Sequence, residues 1–150
     1  MTQTSTQAQI MERQNENHII LWFSDFDYLH EEISKKLSLA PTSIQLLNPD
    51  LERNKYYAGK RNFSYWEYEW TPDSSEFIGD VAERFIKEIV KPRAQAIKEL
   101  RATTVGEFKI VQYYYEGCNP GYHLTIEAMS ILVEANLELD IDTYCLAGSR

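Results

Sequence analysis

The sequence is short of positive charge, of cysteine and of long apolar runs, and each shortage removes a class of function. Its 150 residues carry 15 Lys and Arg against 23 Asp and Glu, a formal net charge of −8. A nucleic-acid binder needs a basic face to neutralise phosphates, and docking on anionic lipid needs one too, so neither is expected. No apolar run approaches the roughly 20 residues that a membrane helix requires. The opening MTQTSTQAQIMERQNENH lacks the apolar core of a secretory signal, and the expectation is a soluble, cytoplasmic protein. Cys118 and Cys145 have no CxxC spacing and no His at zinc-finger distance. Reduced thiols are expected in that compartment. His18, His30 and His123 form no ligand pair. There is no G-x-S-x-G, no phosphate-cradling glycine loop and no H-E-x-x-H. No catalytic residue, metal site or cofactor is therefore assigned.

What is present suffices for one core. The apolar fraction is 43 %, and the length fits one domain. Residues 1–17 are polar and read as a disordered tail; residues 18–150 read as a single domain. Ile19 to Phe23 is a continuous apolar run, as in a central strand. Ser24-Asp25-Phe26-Asp27 is turn chemistry, and Tyr28 to Leu37 is helical, with Leu29, Ile33 and Leu37 four apart. Pro41 forbids its continuation. Ile44 to Leu47 suggests a short strand, Asn48 to Gly59 an exposed loop and Asn62 to Trp70 an aromatic strand. Phe77, Val81, Phe85 and Ile89 stripe a long helix, in which Pro92 either forces a kink or starts a second helix. Phe108 to Tyr115 is the next strand and residues 117–121 a loop. Thr125 to Ala135 is a helix with Met129, Leu132 and Val133 inward. Leu137 to Cys145 alternates as a strand. The strand–helix–strand order at the two ends suggests a duplicated unit. The fold class is α+β: a two-layer design with a four- to five-stranded, mainly antiparallel sheet and helices on one face.

Several segments resemble the bacterial family called domain of unknown function 4279. HEEISKKLSLAPT is similar to a first-unit helix that ends in Leu-x-x-x-Pro-Thr. Tyr57-x-Gly59-Lys60 before the Trp66 strand, KPRAQAIKELR and the closing LELDIDTY are similar to later parts of that family, in the same order. The resemblance implies small bacterial α+β proteins, some similar to immunity proteins of toxin systems. It carries over no catalytic residue.

Strand parity gives the main candidate surface. If helices cover one face, the other carries Tyr65, Glu67 and Glu69 on one strand, and Lys109, Val111, Tyr113 and Tyr115 on the next. The last strand adds Glu138, Asp140, Asp142 and Tyr144. Tyr supplies contact area at small entropic cost, and carboxylates steer a basic partner. Residues 105–150 hold two basic and seven acidic residues. The leading expectation is a non-catalytic protein-binding module, concretely an immunity-like protein that neutralises a basic toxin. The same residues also suit a solvated sheet surface whose edge charges prevent aggregation, or a homodimer that pairs its open faces. A second expectation is a small-molecule- or metal-binding protein, or an enzyme, that uses Asp25 and Asp27 after the first strand with Glu116 and His123 after its proposed repeat.

Overall fold

A computed structural model describes residues 13–27, 30–115 and 121–146. The elements run β1 (Glu16–Ser24), α1 (His30–Leu37), β2 (Ser43–Gln45), β3 (Tyr56–Tyr57), β4 (Lys60–Arg61), β5 (Tyr65–Trp70), α2 (Ile78–Phe85), α3 (Ala94–Leu100), β6 (Val105–Tyr114), α4 (Ile126–Glu134) and β7 (Glu138–Cys145). A π-helical turn, Ile86–Val90, and a 3-10 turn, Lys91–Arg93, join α2 to α3.

The main sheet has the order β2-β5-β1-β6-β7. Three of its pairings are antiparallel, while β6 and β7 are parallel. Parallel neighbours need a crossover, and α4 provides it. The sheet is thus five-stranded and mainly antiparallel, as expected. Both expected strand–helix–strand units are present, but β5 lies between β1 and β2 in the first, whereas β6 and β7 are adjacent in the second.

Alternation sorts the strands onto two faces. Ile19, Leu21 and Phe23 of β1 pair with Trp70, Tyr68 and Trp66 of β5 and with Ile110, Phe108 and Gly106 of β6. This face meets the helices. Phe85 is its hub, with ring centroids 5.0 Å from Trp70, 5.8 Å from Phe108 and 6.1 Å from Tyr68. Val81, Ile86, Ile97, Ile33 and Leu37 belong to the same core. Each large apolar side chain buried there contributes about 1.5–3 kcal/mol.

Pro92 explains the irregular helix. Its ring has no N–H and clashes with the carbonyl four residues back. The ladder widens ahead of it, so that the Lys91 N–H reaches the Ile86 carbonyl, and helix resumes at Ala94. The Arg93 guanidinium donates to the Ile89 carbonyl at 3.0 Å and to the Leu37 carbonyl at the end of α1 at 2.7 Å. It thereby satisfies helix-end acceptors that would otherwise lack donors.

Four expectations are corrected. Glu16 and Asn17 are not tail: they open β1, and Asn17 is buried beside Gln112. The 48–59 loop contains half of a small hairpin, β3–β4, turned by Ala58 and Gly59 at φ 49° and 80°, a turn conformation that matches hairpin twist. The strand expected from Phe108 begins at Val105. In α4 the core takes Ala128, Ile131 and Leu132, while Met129 and Val133 are exposed.

Candidate functional site

The sheet face away from the helices is built by the alternate residues of four strands. Tyr65, Glu67 and Glu69 of β5 pair with Ser24, Trp22 and Ile20 of β1. Across β1, His18, Ile20 and Trp22 pair with Val111, Lys109 and Glu107 of β6. Beyond them, Glu107, Lys109, Val111 and Tyr113 pair with Glu138, Asp140, Asp142 and Tyr144 of β7. Ten of the eleven residues expected on this face lie on this side, and Tyr115 follows one residue past the end of β6. No described helix packs there, and apart from the buried Ser24 its side chains are part-exposed to exposed.

Two aromatic groups anchor the face. Trp22 stacks on Tyr65 with centroids 4.5 Å apart and planes at 20°, and Phe63 lies 6.2 Å away. Tyr113 stacks on Tyr144 at 5.0 Å and 12°, with His18 edge-on to Tyr113 at 5.9 Å. Such pairs hold their rings in place, which lowers the entropy lost on binding.

Between the aromatic groups runs a charge network. Lys109 sits 4.6 Å over the Trp22 ring and pairs with Glu107 at 2.8 Å and Asp140 at 3.4 Å. The His18 Nδ1 contacts the Glu69 carboxylate. Burial and then the neighbouring Glu69 charge push the Glu67 carboxyl above its usual range, against the opposing pull of His18 and Lys109. The carboxylates Glu16, Glu67, Glu69, Glu107, Glu138, Asp140 and Asp142 meet Lys109, His18 and, at Glu138, Arg101, while Arg61 lies 4.3 Å over Phe63 and Arg13 5.8 Å over Tyr115. The face is negative and aromatic.

This arrangement suits recognition of a cationic surface. It contains no nucleophile–base pair, and no cluster that could hold a metal occurs among the described residues.

A family model for a domain of unknown function, DUF4279, matches residues 15–146. The chain belongs to the DUF4279 family. No curated protein and no solved structure matches it. The matched span of this DUF4279 protein runs from one residue before β1 to one residue after β7, so all four strands of the face lie within the family's domain.

The loop site is not assembled in the DUF4279 protein. Strand β1 runs antiparallel to β6, and Ser24 lies beside Val105 while Glu16 lies beside Tyr113. The loop after β1 therefore sits at the opposite end of the sheet from the loop after β6. Asp25 and Asp27 instead meet Arg53, at 4.0 Å and 2.5 Å. His123 is exposed at the far end. Glu116 and Cys118 lie outside the described residues; Cys145 is exposed as a free thiol.

Two features escaped the sequence reading. His18, Ile20 and Trp22 belong to the face, but in an uninterrupted apolar run nothing marks which residues point outward. An open cleft of about 390 Å³ lies past the end of β5, lined by Trp70, Glu76 and Arg84 among others. Arg84 there pairs with Glu76 at 3.0 Å and lies 5.8 Å over Trp70, so its charge is already engaged.

Proposed function

We propose that this protein is a non-catalytic binding module whose acidic, aromatic sheet face receives a basic protein. In its concrete form it is an immunity-like protein that neutralises a basic bacterial toxin. The observation that carries the reading is the convergence on one helix-free face of Glu67, Glu69, Asp140 and Asp142 with the stacked pairs Trp22–Tyr65 and Tyr113–Tyr144. Carboxylates around such anchors speed encounter and select against acidic partners. The rings supply contact area that is already ordered. Lys109 and His18 hold neighbouring carboxylates in place without reversing the sign of the face.

The test is capture from an extract of the native host with the purified chain as bait, at low and at high salt. One stoichiometric, basic protein, released at high salt, is the expected result. Capture of nothing, or of a partner indifferent to salt, would overturn the reading.

A further inference from the structure

At the outer edge of β7, open backbone, an apolar strip and the acidic face come together. Among the described residues β7 pairs only with β6. The Leu146 N–H donates to the Tyr114 carbonyl at 2.6 Å. Backbone groups change sides along a strand in step with side chains, so residues of the same parity, such as Asp140 and Asp142, aim their N–H and C=O at β6. Leu139, Ile141 and Thr143 aim theirs outward. Leu139 and Ile141, whose side chains lie on the helix side, are 45 % and 40 % exposed as residues.

Helix α4 extends this strip. One of its flanks carries Glu127, which pairs with Lys87 at 3.4 Å and Lys91 at 3.5 Å and so faces the neighbouring helices. The opposite flank carries Met129, which is exposed, while Ile126 and Val133 point away from the buried stripe of α4 into solvent. At 100° per residue that flank turns away from those helices, on the side where α4 meets β7.

We propose that β7 takes up an extended segment of the basic partner as a sixth strand, with Lys or Arg alternating with apolar residues along it. The proposal rests on the protein-binding reading above and specifies how the partner is held. Alternation sends every second side chain to each face. Basic residues then lie beside Asp140 and Asp142, within the roughly 4.5–5.5 Å of cross-strand neighbours, and apolar ones cover Leu139, Ile141 and Met129. Main-chain hydrogen bonds supply affinity and the alternating side chains specificity. A second copy fits worse, because antiparallel pairing of two β7 strands sets carboxylates across from carboxylates.

The test titrates the whole chain with a peptide of about ten residues, the length of a long strand, in which Lys alternates with Val. A peptide of the same composition, with Lys and Val in separate blocks, is the control. The alternating peptide is expected to bind at low salt and the blocked one not. The amides of Leu139, Ile141 and Thr143 are expected to exchange with solvent rapidly when free and slowly in the complex. Ile141→Pro removes one outward N–H on a free edge, where proline is tolerated, and is expected to weaken binding about tenfold, whereas Ile141→Val does not. N-methylation of alternate peptide residues gives the same result without touching the fold of the protein.

Equal binding of the two peptides overturns strand addition. So does protection of the three amides that grows with protein concentration when no peptide is present, which identifies a second copy. If neither peptide binds while Asp140→Lys/Asp142→Lys abolishes capture of the natural partner, strand addition fails and the face reading stands. If that double variant leaves capture unchanged, the face reading itself fails.

Discussion

Arg101 holds the start of β7, and its removal is expected to loosen the edge of the candidate face. Its Nε donates to the Asn136 carbonyl at 2.7 Å, its Nη1 to the Thr104 carbonyl at 3.0 Å, and its Nη2 lies 3.3 Å from Glu138 Oε1. The side chain is 13 % exposed. Arg101→Met keeps the aliphatic stem and deletes the fork. Hydrogen bonds to a charged group are worth about 1.5–3 kcal/mol each. Asn136 is exposed and its carbonyl regains water, whereas Thr104 is buried. The expected cost is about 2–4 kcal/mol. At roughly 2–4 °C per kcal/mol for a domain of this size, Tm falls by roughly 5–15 °C. Urea and thermal unfolding followed by circular dichroism measure both quantities. Arg101→Lys keeps the charge but cannot reach three acceptors, so it should recover only a minor part. A fall in Tm below about 2 °C, or full recovery by Lys, would refute the staple.

Two further predictions concern the same sheet. A Cβ at Gly106 would meet Arg101 Cδ at 2.5 Å, Phe23 Cε1 at 3.1 Å and Leu137 Cδ2 at 3.3 Å; Gly106→Ala is expected to cost about 1–3 kcal/mol in urea unfolding, and a neutral result would show that the contact yields. Glu67 has a folded-state pKa above its ordinary 4.5, chiefly through burial. The folded state then binds this proton more tightly than the unfolded state, and stability is lost as pH rises through the raised value. Glu67→Gln should therefore raise Tm at pH 7, with the gain disappearing below about pH 4, where the wild-type carboxyl is already protonated. An equal gain at both pH values would contradict this origin.

The legible parts of the fold are those where one period is unambiguous. β5, β6 and β7 alternate apolar and polar residues, and their face assignments follow from period two alone. β1 is apolar on both sides between Ile19 and Phe23, so only its pairing with β5 and β6 shows that Trp22 faces outward. Helix α4 carries apolar residues nearly all round; the choice of Ala128, Ile131 and Leu132 over Met129 and Val133 is made by what the helix packs on. The loop site failed for a topological reason. Hydrophobic pattern does not record whether two strands run the same way, and the antiparallel β1–β6 pair separates Asp25 and Asp27 from His123.

Binding of a basic protein to the acidic, aromatic face can be measured as the affinity of the captured partner for the wild-type chain and for Asp140→Lys/Asp142→Lys at two ionic strengths. Both carboxylates lie on the outermost strand, and Lys109 is the basic neighbour of Asp140 at 3.4 Å, so their reversal leaves the core untouched. The double variant is expected to lose about 100-fold in affinity at low salt and to show a weaker salt dependence. Affinity within about twofold of wild type at both ionic strengths would contradict binding at this face.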